Sequence, residues 1–338
     1  MRRACRSCPA EPGPACYGSG QDIPTNTDAN LVLGRIGTKL VGGAMTLDRA
    51  AAERAVQKIA DPLGLSLEEA ARSIIAVANA NMADAVRLIS IRRGYDPRDF
   101  ALVAFGGAGP LHGAALAKEL AIPTVIVPPH PGVTSAMGCM LVDVRHDITR
   151  MYLKSANDAD PAVVEQAFQE LEAEGRERLH HEGVPDSAMS FQRFVDMRYQ
   201  GQWRSMSIRI GDRVDSMAEA IEEFHKEHGR EHNYRRDDAP VEIYRLSLRA
   251  IGVTPKPEIA QHVLVDVGSV QPLEVRSVRF DESPDRLDTP VYRRADLPPG
   301  FTCEGPAIID QLDSTTVVPP GSTATVDQWL NIRIEIGA

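Results

Sequence analysis

Cysteine is sparse in this sequence: Cys5, Cys8, Cys16, Cys139 and Cys303 are the only five in 338 residues. An odd and scattered set argues against the disulfide framework of a small secreted protein. Cys5-x-x-Cys8 with Cys16 offers three ligands, and no second such pair completes a tetrahedral site, so no metal ligands are assigned. Positive charge is also short. Lys and Arg number 37 against 47 Asp and Glu, a net charge of −10, where a nucleic-acid binder normally shows a basic face. Nucleic acid is therefore not expected as a partner. No apolar run approaches the about 20 residues that cross a bilayer. "MRRACRSCPAEPGPAC" lacks the apolar centre of a signal peptide. The expectation is a cytoplasmic protein with no membrane partner.

What is present is an ordinary globular composition, 43% hydrophobic and 25% charged, in a chain long enough for two or three cores. Residues 1–45 are rich in Gly, Pro, Asn and Thr and read as loops with one helical turn near Thr27–Leu33. "MTLDRAAAERAVQKIADPLG" turns helical. Ser66 and Glu69 then form a capping box for a longer helix that Gly94 is expected to stop. Ile74, Val77, Ala78, Met82, Ala85 and Ile89 recur on one apolar stripe of it. A buried strand over Ala101–Phe105, a glycine turn, a helix over Leu111–Leu120 and a strand in "IPTVIVPP" make a βαβ unit. After "DVRHD" two charged amphipathic helices alternate with strand-like runs, "FQRFVDMRYQ", "RSMSIRI" and "VEIYRLSLRAIGV". The tail is β-type, broken by Pro and Gly.

The glycine turn in "FGGAGPLHGAALAKEL" fails two known phosphate motifs. Lys118 lies too deep in the helix for a Walker loop, and His112 stands where the dinucleotide fingerprint needs its third glycine. Strand, glycines and helix N-terminus still suit an anion or a flat ligand: glycines admit close approach and the helix start offers free N–H groups. Pro110 fits the first helical turn, where a missing N–H is harmless. The alternative is a tight turn whose glycines serve packing only.

The blocks "PGPACYG", "TDANLVLGR", "NANMADAVR", "GYDPRDFALVAFGGAGPLHGAALAKEL", "VPPHPGVTSAMGCMLVDVRHD" and "DSTTVVPPG" run in order from about residue 12 to the end. The sequence thereby resembles the hydantoinase A / 5-oxoprolinase family. That family includes ATP-dependent N-methylhydantoinases, 5-oxoprolinases and the related acetone and acetophenone carboxylase subunits. The resemblance implies an α/β lobe of the actin/Hsp70/sugar-kinase ATPase fold, followed by an α+β and a β-rich C-terminal domain. It implies a loop-rich start at 1–45 left from an upstream lobe, the ATPase-like lobe at 46–147, an accessory region at 148–260 and the β-rich domain at 261–338. It implies that Gly106, Gly107, Ala108 and Gly109 lie against the adenosine of ATP, with Mg²⁺ at the phosphates.

The resemblance also exposes a gap. The Asp-Gly-Gly-Thr loops that grip phosphate in the family are absent from this sequence, and "MRRACRSCPA" does not resemble the family there, as though the reading frame had shifted or an internal codon had started the chain. The expectation is the C-terminal half of an A-type subunit, incomplete alone and oligomeric. It would work with a B-type subunit, the missing N-terminal half, or both, on a small cyclic amide such as a hydantoin or 5-oxoproline. A carboxylase subunit and a non-catalytic remnant or scaffold are the alternatives, and the substrate is not specified.

Among single residues, Asp28 is the candidate carboxylate, with helix capping as its plainer role. Arg35 is a candidate phosphate contact or a surface charge. Asn79, Asn81, Asp84 and Arg87 share a polar part of one helix, from which Asn81 is the candidate for reaching nucleotide. His112 directly follows the glycine turn, as ligand contact or as a ring held by its neighbours. His130 and His146 are placed in turns. His225, His228 and His232 are read as surface residues of a charged helix, since "HEHGREH" is not a zinc-protease motif.

Overall fold

A computed structural model describes residues 13–18, 20, 22–91 and 94–337. Cys5 and Cys8 lie outside the described residues. The chain is mixed α/β and divides into two compact units. One runs up to Met137 and resumes at Glu258, and the other is Gly138–Pro257.

In the first unit, α1 (Asn26–Leu33), α2 (Arg49–Leu63) and α3 (Leu67–Ile89) pack around a core that includes Leu31, Leu33, Val56, Ile74 and Ile75. A short hairpin, β1 (Lys39–Leu40) and β2 (Met45–Thr46), joins the first two. Local chemistry sets the helix limits. Thr25 caps α1, Asp48 caps α2 and Ser66 caps α3, the first and last with full capping boxes through Asp28 and Glu69. α3 ends at Ile89, before Gly94. Its buried face is Ala70, Ala71, Ile74, Ile75, Ala78, Asn79 and Ala83, while Val77, Ala85 and Ile89 are exposed. The apolar stripe expected from spacing is thus buried only in part: Ile74 and Ala78 face the core, joined there by Ala70, Ala71, Ile75 and Ala83.

The βαβ unit is present: β3 (Ala101–Val103) and β4 (Thr124–Val127) are parallel, with Ala101 opposite Thr124, and α4 (Gly109–Leu120) connects them. β3 is an edge strand and not a buried one. Val103 and Phe105 are each 49% exposed.

The tail does not form a domain of its own. β11 (Thr302–Glu304), β14 (Thr323–Val326) and β15 (Ile332–Glu335) continue the β4–β3 sheet in the order β11-β14-β15-β4-β3. β9 (Glu274–Arg279), β10 (Arg286–Arg293), β12 (Ala307–Asp310) and β13 (Thr315–Val318) form a second sheet, β13-β12-β10-β9. Leu116, Ala117 and Leu120 of α4 share one core with Val125 and Ile334 of the first sheet and Ile309 and Val318 of the second. A boundary at 261 would cut that core, so the expected separate β-rich domain is corrected here. A short helix, α5 (Thr134–Leu141), runs through the Met137/Gly138 division of the chain.

The second unit holds β5 (Val144–Ser155), α6 (Pro161–His181), β6 (Met189–Tyr199), β7 (Met206–Ile210), α7 (Ala218–His232) and β8 (Val241–Gly252). Its antiparallel sheet runs β5-β8-β6-β7. Val195, Met197, Tyr199, Leu246 and Leu248 alternate onto the face covered by Phe168 and Leu171 of α6 and Phe224 of α7. His146 lies within β5 opposite Ala250 and not in a turn. His225 and His228, expected on the surface, are buried. Tyr199 Oη stands 2.7 Å from His225 Nδ1. The His228 ring nitrogens meet the Tyr234 carbonyl at 3.0 Å and Gln202 Nε2 at 3.2 Å. Among the described residues no helix is long and apolar enough to cross a membrane.

Candidate functional site

The site grows from the start of α4. Gly106 has φ +86°, a conformation open to glycine without strain, and its N–H donates to the Pro131 carbonyl at 2.7 Å. A Cβ on Gly107 would stand 3.3 Å from the Asp313 carbonyl, and Gly109 lies close over Ala104. Packing therefore accounts for part of this glycine cluster. It does not account for the N–H groups. Ala108 is the N-cap residue without a side-chain cap, and among the described residues the N–H groups of Gly107, Ala108 and Gly109 have no recorded partner. Free N–H groups at a helix start attract anions and ligand acceptors.

These groups border a cavity of about 370 Å³ to which several chain segments contribute. Gly107, Ala108 and His112 come from the glycine turn and α4, and Asn26, Thr27 and Asn30 from α1. Tyr17 comes from the loop before α1, and Asp313, Ser314 and Thr315 from the β12–β13 connection. Ile36, Leu40, Leu111 and Leu312 add apolar wall. Two of the lining residues carry a buried polar atom with no hydrogen-bond partner among the described residues, Asn30 Oδ1 and Ser314 Oγ. Asn30 spends its amide N–H on the Asn26 carbonyl at 2.9 Å, which leaves the oxygen as an acceptor. A buried polar atom without a partner costs about 1–3 kcal/mol.

His112 shows how the cavity is held. Its Nδ1 lies 2.8 Å from Asn79 Oδ1. The amide oxygen only accepts, so Nδ1 carries the hydrogen and Nε2 is the ring's acceptor. Burial, helped by the charge of Arg35, pulls the His112 pKa down to about 4. The ring is neutral at pH 7.

Asp28 is fully buried below this site. Its carboxylate accepts from the N–H groups of Ala15 at 3.2 Å, Cys16 at 2.8 Å and Thr25 at 2.8 Å, and from the Thr25 hydroxyl at 2.9 Å. It ties Ala15 and Cys16 to α1. Arg35 donates Nε to the Arg279 carbonyl and Nη2 to Asp281, each at 3.2 Å, and does not line the cavity. Asn81 is exposed and does not line it either. Gly106 and Gly109 flank the lining pair Gly107 and Ala108.

Sequence reasoning missed Asn30, Ser314 and the Asn79–His112 pair. Asn79 lay one helical turn beyond Ile75 on the buried face, a signal available from spacing, whereas Asn81 is roughly 200° further round. Nothing local marked Ser314, because the β12–β13 connection reaches the cavity only through the second sheet.

Fold and cavity together define a mixed α/β protein with a cavity at the start of α4 and an additional α+β unit. The chain belongs to the hydantoinase/oxoprolinase family: the hydantoinase/oxoprolinase model matches residues 2–148, and the hydantoinase/oxoprolinase C-terminal domain matches 154–335. The caprolactamase subunit alpha of Pseudomonas jessenii is 37% identical over 95% of this chain and 48% of its own length. The acetophenone carboxylase gamma subunit of Aromatoleum aromaticum is 34% identical over 95% of this chain and 46% of its own. The crystal structure of the ATP-dependent caprolactamase from Pseudomonas jessenii superposes with a TM-score of 0.84 at 35% identity, covering 98% of this chain and 50% of that one. The chain thus spans about half the length of these relatives.

Proposed function

We propose that this chain forms the nucleoside-binding half of an ATP-dependent enzyme that opens cyclic amides, a hydantoin, a 5-oxoproline or a lactam. In this reading the first unit is a lobe of the actin/Hsp70/sugar-kinase type. Family membership supports the amide chemistry, and the likeness to an enzyme titled ATP-dependent supports the cofactor. The observation that carries the proposal is the composition of the cavity. Backbone N–H groups, Asn30 Oδ1 and Ser314 Oγ suit a neutral heterocycle and sugar, and apolar walls suit its faces.

The charged end is another matter. Among the described residues no Lys or Arg lines the cavity, and the one lining carboxylate there, Asp313, is engaged by the Gly132 N–H at 2.8 Å. Phosphoryl transfer depends on positioned cationic groups and phosphate loops. The residues here fit a nucleoside and not a Mg²⁺-triphosphate, so those loops are assigned to a further polypeptide segment, whose sequence pattern this chain lacks. ATP supplies the phosphoryl group that activates the amide oxygen. This chain's contribution is to bind and orient, with Gly107, Ala108, Asn30 and Ser314 at the ligand. A B-type subunit would supply the hydrolytic step, in a cytoplasmic assembly.

Calorimetric titration of the isolated chain with adenosine and with Mg²⁺-ATP tests the proposal. Adenosine and ATP are expected to bind with similar, weak affinity, and Asn30→Leu to weaken both. Micromolar ATP binding with no measurable adenosine binding would overturn it. The related carboxylase subunit supports a second reading, in which the same ATP-binding half serves carboxylation. Amide-dependent against ketone-dependent ATP hydrolysis by the full assembly separates the two.

A further inference from the structure

The sheet of the second unit ends on β7, which is paired along one side only, with Arg193–Met197 of β6. Among the described residues no backbone hydrogen bond leaves its other side. Alongside runs α7, whose Glu219, Glu223, Glu227 and Glu231 recur every fourth residue. Strand and helix wall two cavities of about 680 and 630 Å³ that share Ser207, Ile208 and Glu227, so one groove follows the whole strand. Its floor is apolar at Ile208, and Trp203, 94% exposed, stands at one end. Exposed edges are usually blunted. Here the Arg209 side chain alternates away from Ile208, and although Arg204, Arg209 and Arg213 also border the groove, Asp212 and the four glutamates of that row outnumber them.

We propose that this groove docks an extended, Lys- or Arg-bearing segment of a partner polypeptide, which adds to β7 as a fifth strand. Strand addition supplies the backbone bonds, and side-chain pockets supply selectivity. The acidic row selects the charge. Glu219 and Glu231 have no recorded ion pair among the described residues, while Glu223 and Glu227 meet only Lys226 and Arg230 one turn away on the exposed helix, pairs of little strength. The spacing also fits: alternate residues of a strand advance about 6.6 Å, and every fourth residue of a helix about 6 Å. Basic side chains at alternate positions therefore keep step with the glutamates. An acidic wall disfavours nucleic acid.

The test uses the full chain and a blocked peptide of about eight residues alternating Lys and Val. Its Glu–Val counterpart and a Lys–Val peptide N-methylated at alternate residues serve as comparisons. Calorimetry and tryptophan fluorescence follow binding. The Lys–Val peptide is expected to bind and shift the emission, and either comparison peptide to bind at least about tenfold more weakly. The double variant Glu219→Lys/Glu231→Lys should reverse the charge preference, while Glu174→Lys/Glu177→Lys on α6 leaves it intact. These exposed substitutions spare the core, and thermal melting verifies that. No binding by any peptide, equal binding after N-methylation, or equal loss in both double variants would overturn the proposal.

Discussion

His112 Nδ1 and Asn79 Oδ1 stand 2.8 Å apart, linking the first turn of α4 to the buried face of α3. The pair fixes the tautomer of a ring lining the candidate cavity, and the burial of that ring, helped by the charge of Arg35, sets a pH response. With a folded pKa of about 4 against about 6.5 unfolded, the unfolded chain takes the proton first. Stability is therefore complete above pH 6.5 and falls as the pH drops toward 4. The full loss is about 3 kcal/mol. Denaturant unfolding from pH 7 to 4 should show wild type losing that much more than His112→Gln. Parallel curves would contradict the burial-driven shift.

Asp28 is expected to act through structure. Asp28→Ala leaves the N–H groups of Ala15, Cys16 and Thr25 without their acceptor and should cost about 3 kcal/mol or more. Asp28→Asn keeps one acceptor oxygen but turns an amide toward donors, and should fall between. Calorimetric melting reads both. An unchanged midpoint would return Asp28 to consideration as a reacting carboxylate.

Gly113 is closed to any side chain. A Cβ there would meet Ala104 Cβ at 2.9 Å and Val125 Cγ1 at 3.2 Å, where α4 crosses its own βαβ unit. Gly113→Ala should destabilise by about 1–3 kcal/mol. Gly106→Ala meets no atom but must hold φ +86°, a strain of roughly 1 kcal/mol. Equilibrium unfolding should rank Gly113→Ala as the more damaging, and the reverse order would mean that backbone strain outweighs contact.

Arg35 holds the Arg279 carbonyl and Asp281 with two different nitrogens. A lysine offers one compact charge in place of that fork. Arg35→Lys should lower stability by about 1–2 kcal/mol while adenosine affinity stays unchanged. A selective loss of ligand binding would instead place Arg35 in the site.

Much of the local structure could be read directly. The Ser66–Glu69 capping box was legible from residue type, whereas α1 starts at a Thr25 cap with Asp28 as its reciprocal partner three residues on, and α2 at Asp48, two caps that sequence reasoning missed. The strand alternation in β6, β7 and β8 was equally visible. β5 was not, because most of its residues face outward and are charged or polar, and its pairing with β8 supplies what its sequence does not. In the site, the glycine turn was legible through glycine's conformational freedom. Asn30 and Ser314 were not, since an unpaired atom is defined by what surrounds it.

The amino-acid sequence by itself determined where α3 begins, that β6, β7 and β8 alternate as strands, and that Gly106 can take a left-handed conformation. Each depends on groups within a few residues of one another. Only the tertiary structure decided that strands near residue 330 complete the sheet begun at residue 101, that one core spans both sheets, and that Asn30, Gly107 and Ser314 line one cavity. Such contacts join residues some two hundred positions apart. They are selected by the burial of whole faces, to which no single stretch of chain contributes enough to reveal its partner.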